Sequence, residues 1–211
     1  MPTEGNKTIL FAIRFGLRIF SFVLGEIIMS KQKKAIFSVC ECAVLVALSV
    51  ALSYFKIPLG AFGGSIDFVM IPLFIICYRQ GLAYGVASGL VFGLIKCIIG
   101  GGIGWGLPSV LLDYVLAYGA CGVAGAFKGK KGLFPLAAFV GCVARFIIHF
   151  ISGVTIYAIS TEEKIANVVT SNAWVYSLIY NGIYMLPNTV IAVVAAALLI
   201  PVMDKLPRYK A

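Results

Sequence analysis

One histidine, two tryptophans and eight acidic residues are all that this 211-residue chain holds of those types. A lone His149 excludes a metal centre built on a histidine cluster. There is no G-x-x-x-x-G-K-[ST], so the chain has no phosphate-binding loop with which to hydrolyse a nucleotide. G-x-S-x-G and H-E-x-x-H are missing as well, and no serine or cysteine nucleophile stands beside a base, which argues against an intramembrane hydrolase. Charge is scarce: charged residues make up 12%, against 61% hydrophobic. With a mean hydropathy of +1.03, the chain has more apolar surface than a water-soluble fold can hide. It reads as an all-α integral membrane protein.

The net charge of +9 would suggest a nucleic-acid partner in a soluble protein. Here the basic residues sit in short tracts between apolar spans, which is the pattern of topology signals, so no nucleic acid is expected. The six cysteines, Cys40, Cys42, Cys77, Cys97, Cys121 and Cys142, lack metal-ligand or disulfide-framework spacing and read as small apolar packing residues.

Residues 1–28 do not match the rest. Their apolar run is interrupted by Arg14, Arg18 and Glu26 and has no small-residue cleavage site, so it is a poor signal peptide and a poor spanning helix. Met29 then opens MSKQKKAIF in the manner of a bacterial start, and Gly25-Glu26 can be encoded by a ribosome-binding sequence at a suitable spacing. The expectation is a non-native extension with translation beginning at Met29; the alternative is an interfacial amphipathic helix. Residues 29–211 then form a single six-helix membrane domain. N-terminal sequencing of native protein that returned Met1 or Pro2 would reject the internal start.

Six apolar segments follow, at about 36–55, 66–78, 82–99, 108–127, 133–158 and 176–203, judged by the length that crosses about 30 Å of hydrocarbon. The second is short and is expected to be tilted, broken or completed by its flanking loop. Lys31, Lys33, Lys34, Arg79, Lys128, Lys130, Lys131, Lys205, Arg208 and Lys210 fall in one alternate set of loops. The other set is counted with only Lys56, Lys96 and Lys164. The positive-inside rule therefore places both termini in the cytoplasm.

That topology fixes depth. Asp113 and Tyr114 lie in the outer part of segment 4, Arg145 about halfway along segment 5 with His149 and Tyr157 nearer the outside, and Tyr176 and Asn181 at the outer start of segment 6. A carboxylate in a membrane-length apolar helix is by default part of a site with a partner. Arg145 and His149, four apart, share a helical face and are the matching ionisable groups. A structural Arg145–Asp113 bridge is one reading of this set. A ligand site is the other, favoured by the few acids and by the aromatic residues at this depth: Trp105, Tyr114, Tyr118, Tyr157, Trp174, Tyr176, Tyr180 and Tyr184. An interfacial belt accounts for Trp105 and Trp174; Tyr114 beside the acid instead suits a box for a flat organic cation.

Two stripes of small residues allow close helix approach: Ala43, Ala47 and Ala51 on segment 1, and Gly81, Gly85, Gly89 and Gly93 on segment 3. Each stripe serves either internal packing or contact with another protein.

LLDYVLAYGACGVAG (Leu111 to Gly125), ARFIIHFISGV (Ala144 to Val154) and YSLIYNGIYMLPN (Tyr176 to Asn188) resemble the thiamine-specific substrate-binding subunit, or S-component, of energy-coupling factor (ECF) transporters. The resemblance runs from about Lys34 to Pro201. It implies a bundle of about six helices that binds thiamine near the outer face of the cell membrane and docks on a coupling membrane subunit and two ATPases. No cofactor is implied; thiamine is the transported ligand, and ATP is used by the partner subunits only. By motif, Asp113 is expected on the aminopyrimidine with Tyr114 stacked beside the rings, while Arg145, His149, Tyr157, Tyr176, Asn181 and Trp105 complete the binding set. Tyr157 stands where relatives carry tryptophan. The alanine stripe resembles the A-x-x-x-A motif that contacts the coupling subunit. The alternatives are an S-component for another vitamin or a thiamine precursor, an intramembrane enzyme, and a channel or autonomous carrier, against which the lack of an inverted repeat weighs.

Overall fold

The computed structural model describes residues 31–59, 64–156, 163–165 and 168–206, leaving aside the side chains of Trp105, 163–165 and 168. The proposed extension at residues 1–28 and the box residue Tyr157 lie outside the described residues. The chain divides into two compact units, Met1–Cys40 and Glu41–Ala211; of the first, residues 31–40 are described, as helix.

Six helices stand where the apolar segments predict them. They are α1 (Lys31–Leu52), α2 (Met70–Gln80), α3 (Leu82–Ile99), α4 (Leu107–Phe127), α5 (Phe134–Thr155) and α6 (Ala173–Met203). Five are long and apolar enough to cross a membrane. Helices are the natural outcome, because in lipid each backbone N–H and C=O must be satisfied within the chain. The exception is α2, whose 11 residues reach only about 16 Å at 1.5 Å per residue. Just before it, β1 (Lys56–Leu59) and β2 (Gly64–Asp67) pair antiparallel. A second small hairpin, β3 (Glu163–Ile165) with β4 (Val168–Thr170), precedes α6. Both hairpins fall at one end of the helices, called the hairpin end below.

Gly81 separates α2 from α3 with φ 92°, a left-handed conformation that stops one helix and starts the next. The glycine stripe of α3 packs internally. A Cβ at Gly89 would lie 2.2 Å from the Tyr118 carbonyl oxygen, and one at Gly93 would lie 2.3 Å from that of Tyr114. The backbones of α3 and α4 are therefore in contact, and glycine is what permits it. The alanine stripe behaves differently. Ala43, Ala47 and Ala51 are exposed, while Cys42, Val46 and Ser49 turn inward.

The apolar core gathers Phe74, Tyr78, Phe92, Tyr118, Phe134 and Cys121 from α2, α3, α4 and α5, with the Tyr78 and Phe134 rings stacked at 4.7 Å. Of the six free cysteines five are buried and Cys40 is exposed, as expected of packing residues. At the end opposite the hairpins, Glu41 accepts hydrogen bonds from Arg79 Nε and Gln80 Nε2, joining α1 to α2. Tyr78 donates to the Lys130 carbonyl oxygen at 2.5 Å, and Asp204 accepts from the Gly132 amide at 3.1 Å.

Candidate functional site

The polar residues of the hairpin end converge on α4, and the local fold of α4 explains how. Gly106, with φ 88°, turns the chain, and Pro108 lies in the first turn of the helix, where its missing N–H costs nothing. The helix then widens into a π-helical stretch, Val110–Leu116, with Asp113 at its centre. Such widened turns are uncommon and concentrate at functional sites, since the extra residue re-aims the side chains that follow.

Asp113 is held from two sides. Ser109 Oγ, one turn earlier, donates to Oδ2 at 2.9 Å, and His149 Nδ1 of α5 lies 3.2 Å from Oδ1. Arg145, one turn before His149, donates from Nε to His149 Nε2 at 3.3 Å and from Nη2 to the Tyr118 hydroxyl at 3.0 Å. Its guanidinium carbon sits 4.2 Å from the centre of the Tyr118 ring. Arg145 makes no direct bridge to Asp113; the imidazole of His149 stands between them. Among the described residues the ion pairs are Arg79–Glu41, Lys96–Asp67 and the conditional pair His149–Asp113.

From α6, Asn181 closes the site beneath His149. Its Nδ2 donates to the Ser177 carbonyl at 2.9 Å and to the His149 carbonyl at 3.3 Å, while its Oδ1 accepts from Tyr184 at 2.6 Å. The Tyr184 ring meets His149 edge-on at 5.9 Å. One turn at a time, Tyr176, Tyr180 and Tyr184 then form a ladder along one face of α6, with centroid spacings of 6.3 and 5.8 Å. β2 is fastened to this ladder: Gly64 N–H donates to the Tyr180 hydroxyl at 3.0 Å.

Five of the eight residues read from the sequence thus form one connected set: Asp113, Arg145, His149, Asn181 and, through the ladder, Tyr176. Tyr114 is half-buried, its ring tip directly under Gly102, where a Cβ would come within 2.5 Å of Cζ. Trp105 closes the short 3-10 turn Gly102–Trp105; its side chain, like Tyr157, is outside the description. Trp174 is exposed and tilts against Phe150 at 5.7 Å, as suits a belt residue.

Sequence reasoning missed Ser109, and it missed a second charged pair. Lys96 is not a loop residue. It lies in α3, and its Nζ contacts Asp67 Oδ2 at 2.7 Å and approaches the Tyr118 ring at 5.2 Å. Asp67, at the end of β2, is tied to α6 by its amide, which donates to Asn188 Oδ1 at 2.9 Å. The available signal was the one that singled out Asp113: a charge inside or at the edge of an apolar run.

The family described as Thiamine transporter protein (Thia_YuaJ) matches residues 39–208. The chain is 31% identical over 186 residues to the thiamine transporter ThiT of Bacillus subtilis, covering 80% of this chain and 92% of that one. It is 29% identical over 192 residues to the ThiT of Lacticaseibacillus paracasei, covering 83% and 92%. The solved structure of ThiT from Listeria monocytogenes shares the fold, with a TM-score of 0.70 at 22% identity over 82% of this chain and 97% of that chain. The match of 39–208 takes in all of α2 to α6, nearly all of the described unit, and with it every residue of the Asp113 cluster. The chain belongs to the thiamine transporter protein family, a family of bacterial multi-pass membrane transporters and not of enzymes.

Proposed function

We propose that this chain captures thiamine at the outer side of the membrane and delivers it as the S-component of an ECF importer, with ATP hydrolysed by separate subunits. The observation that carries the reading is a half-buried Asp113 backed by the buried pair His149 and Arg145 beside a tyrosine ladder, in a chain of this family. Thiamine is a permanent cation with a hydrogen-bonding aminopyrimidine. It calls for an acid in a dry setting with aromatic faces nearby. In this reading Asp113 takes the aminopyrimidine, and Tyr114, Tyr157, Tyr176 and Trp105 supply ring faces. His149 and Asn181 shape the floor. Mass spectrometry of the small molecule that co-purifies with the protein tests the reading, and a bound flavin or biotin in place of thiamine would overturn it.

The lysine distribution supports an orientation with both termini in the cytoplasm and the hairpin end outside. In a cysteine-free background, a single cysteine at position 161 should react with an impermeant maleimide added to intact cells, and one at position 129 should not. Labelling at 129 would reverse the orientation.

Energy coupling is assigned to the alanine stripe. Ala43, Ala47 and Ala51 are exposed on α1, and small side chains allow another helix to approach closely. Ala47→Leu should block docking on the coupling subunit, abolishing uptake in cells while leaving thiamine affinity of the purified protein unchanged. Uphill uptake by the purified chain alone in liposomes contradicts the need for a partner.

A further inference from the structure

We infer that Arg145 is a positioning residue: it fixes the tautomer of His149, and through it the aim of Asp113, without touching the ligand. The inference rests on Asp113 being the ligand's acid, as proposed above. An arginine Nε–H can only donate, so the His149 nitrogen it meets at 3.3 Å, Nε2, must present a lone pair. The ring proton is thereby placed on Nδ1, where it donates to Asp113 Oδ1 at 3.2 Å. Any other protonation sets an N–H against Arg145. A doubly protonated ring and the Nε2–H tautomer are both excluded by one contact.

Three observations keep Arg145 itself away from the ligand. The residue is 5% exposed. Its Nη2 is taken by the Tyr118 hydroxyl and its guanidinium lies over the Tyr118 ring. The remaining nitrogen, Nη1, is sealed from solvent. Asp113, by contrast, keeps 19% of its side-chain surface open. The fork of arginine suits the task, since two donors at a fixed separation engage the imidazole and the phenol together. His149 in turn has both ring nitrogens engaged by protein, so it offers a ligand its ring and leaves hydrogen bonding to the free lone pairs of Asp113.

Because His149 is the only histidine, protein carrying 15N-histidine yields one imidazole, whose nitrogen shifts report the tautomer directly. In ligand-free wild type the expected spectrum is a neutral ring protonated on Nδ1. A ring protonated on Nε2, or on both nitrogens, overturns the inference with no variant required. Arg145→Met should lose the pure Nδ1–H form and weaken thiamine by on the order of tenfold or more, the scale seen when the group that orients a metal-ligating histidine is removed. Arg145→Lys, which keeps a cationic N–H donor, should bring the Nδ1–H form back. Weakened thiamine with an unchanged imidazole in Arg145→Met would instead make Arg145 a direct ligand contact and overturn the inference. Failure of wild type to bind thiamine, beside the expected spectra, would count against the substrate and leave the tautomer standing.

Discussion

Asp113→Asn should weaken thiamine binding by roughly 2–4 kcal/mol, the usual loss when a buried charge-assisted hydrogen bond is broken. That corresponds to roughly 30- to 700-fold in dissociation constant. The substitution keeps the shape of the side chain, so packing changes little. It removes two things together. The negative charge that faces a permanent cation disappears, and one oxygen becomes an NH2 that cannot accept from an aminopyrimidine. Ser109 Oγ, 2.9 Å from Oδ2, can turn to accept from the new NH2, while the oxygen 3.2 Å from His149 Nδ1 still accepts, so both neighbours stay paired and the loss falls on the ligand. Titration calorimetry on monodisperse protein reads the loss. A purely structural role for the acid predicts poor folding with unchanged affinity in whatever survives, and wild-type affinity in Asp113→Asn removes the residue from the site.

The six helices were legible because membrane length and apolar composition are strong signals that need no tertiary information. Even the short second helix could be read, since residues 66–78 fell below spanning length. The lysine count then placed remote residues at one depth, which brought Asp113 together with Arg145, His149 and Asn181. What depth could not supply was their order. The spacing of Arg145 and His149 puts them on one face, but an i, i+4 pattern does not say that His149 reaches Asp113 while Arg145 turns to Tyr118. The π-helical stretch around Asp113 was equally hidden, because one extra residue in a turn leaves no trace in composition. The hairpins escaped for a different reason. β1 is KIPL, four residues with a proline, too short for a period-two pattern to register. Counting Lys96 as a loop signal was the costliest reading: it removed from view the partner of Asp67, a second acid held at this end among the described residues.

Removing that partner should be the most damaging single change to stability. The Asp67 side chain is 2% exposed. Its Oδ2 takes Lys96 Nζ at 2.7 Å and Ser65 Oγ at 3.4 Å, while Oδ1 is buried without a partner. A carboxylate so placed depends on the lysine, and breaking a buried pair by deleting one member costs about 3–5 kcal/mol because the other charge is left uncompensated. Lys96→Met keeps the length and apolar stem of the side chain, so the loss isolates the charge. At about 2–4 °C per kcal/mol for a chain of this size, the melting temperature in detergent should fall by roughly 6–20 °C. The double variant Lys96→Met with Asp67→Asn should recover most of that fall, since no bare charge remains to be buried and the Asp67 amide can still donate to Asn188. The pair also touches the site. Lys96 approaches the Tyr118 ring whose hydroxyl accepts from Arg145, and Asp67 ends the strand that bonds to Tyr180 through Gly64. Thiamine affinity should therefore drop in Lys96→Met beyond what the fall in melting temperature explains, as β2 loosens from α3. A single variant that melts with wild type would show that the carboxylate finds another way to be neutralised, and would reduce the Lys96–Asp67 contact to a neighbourly one.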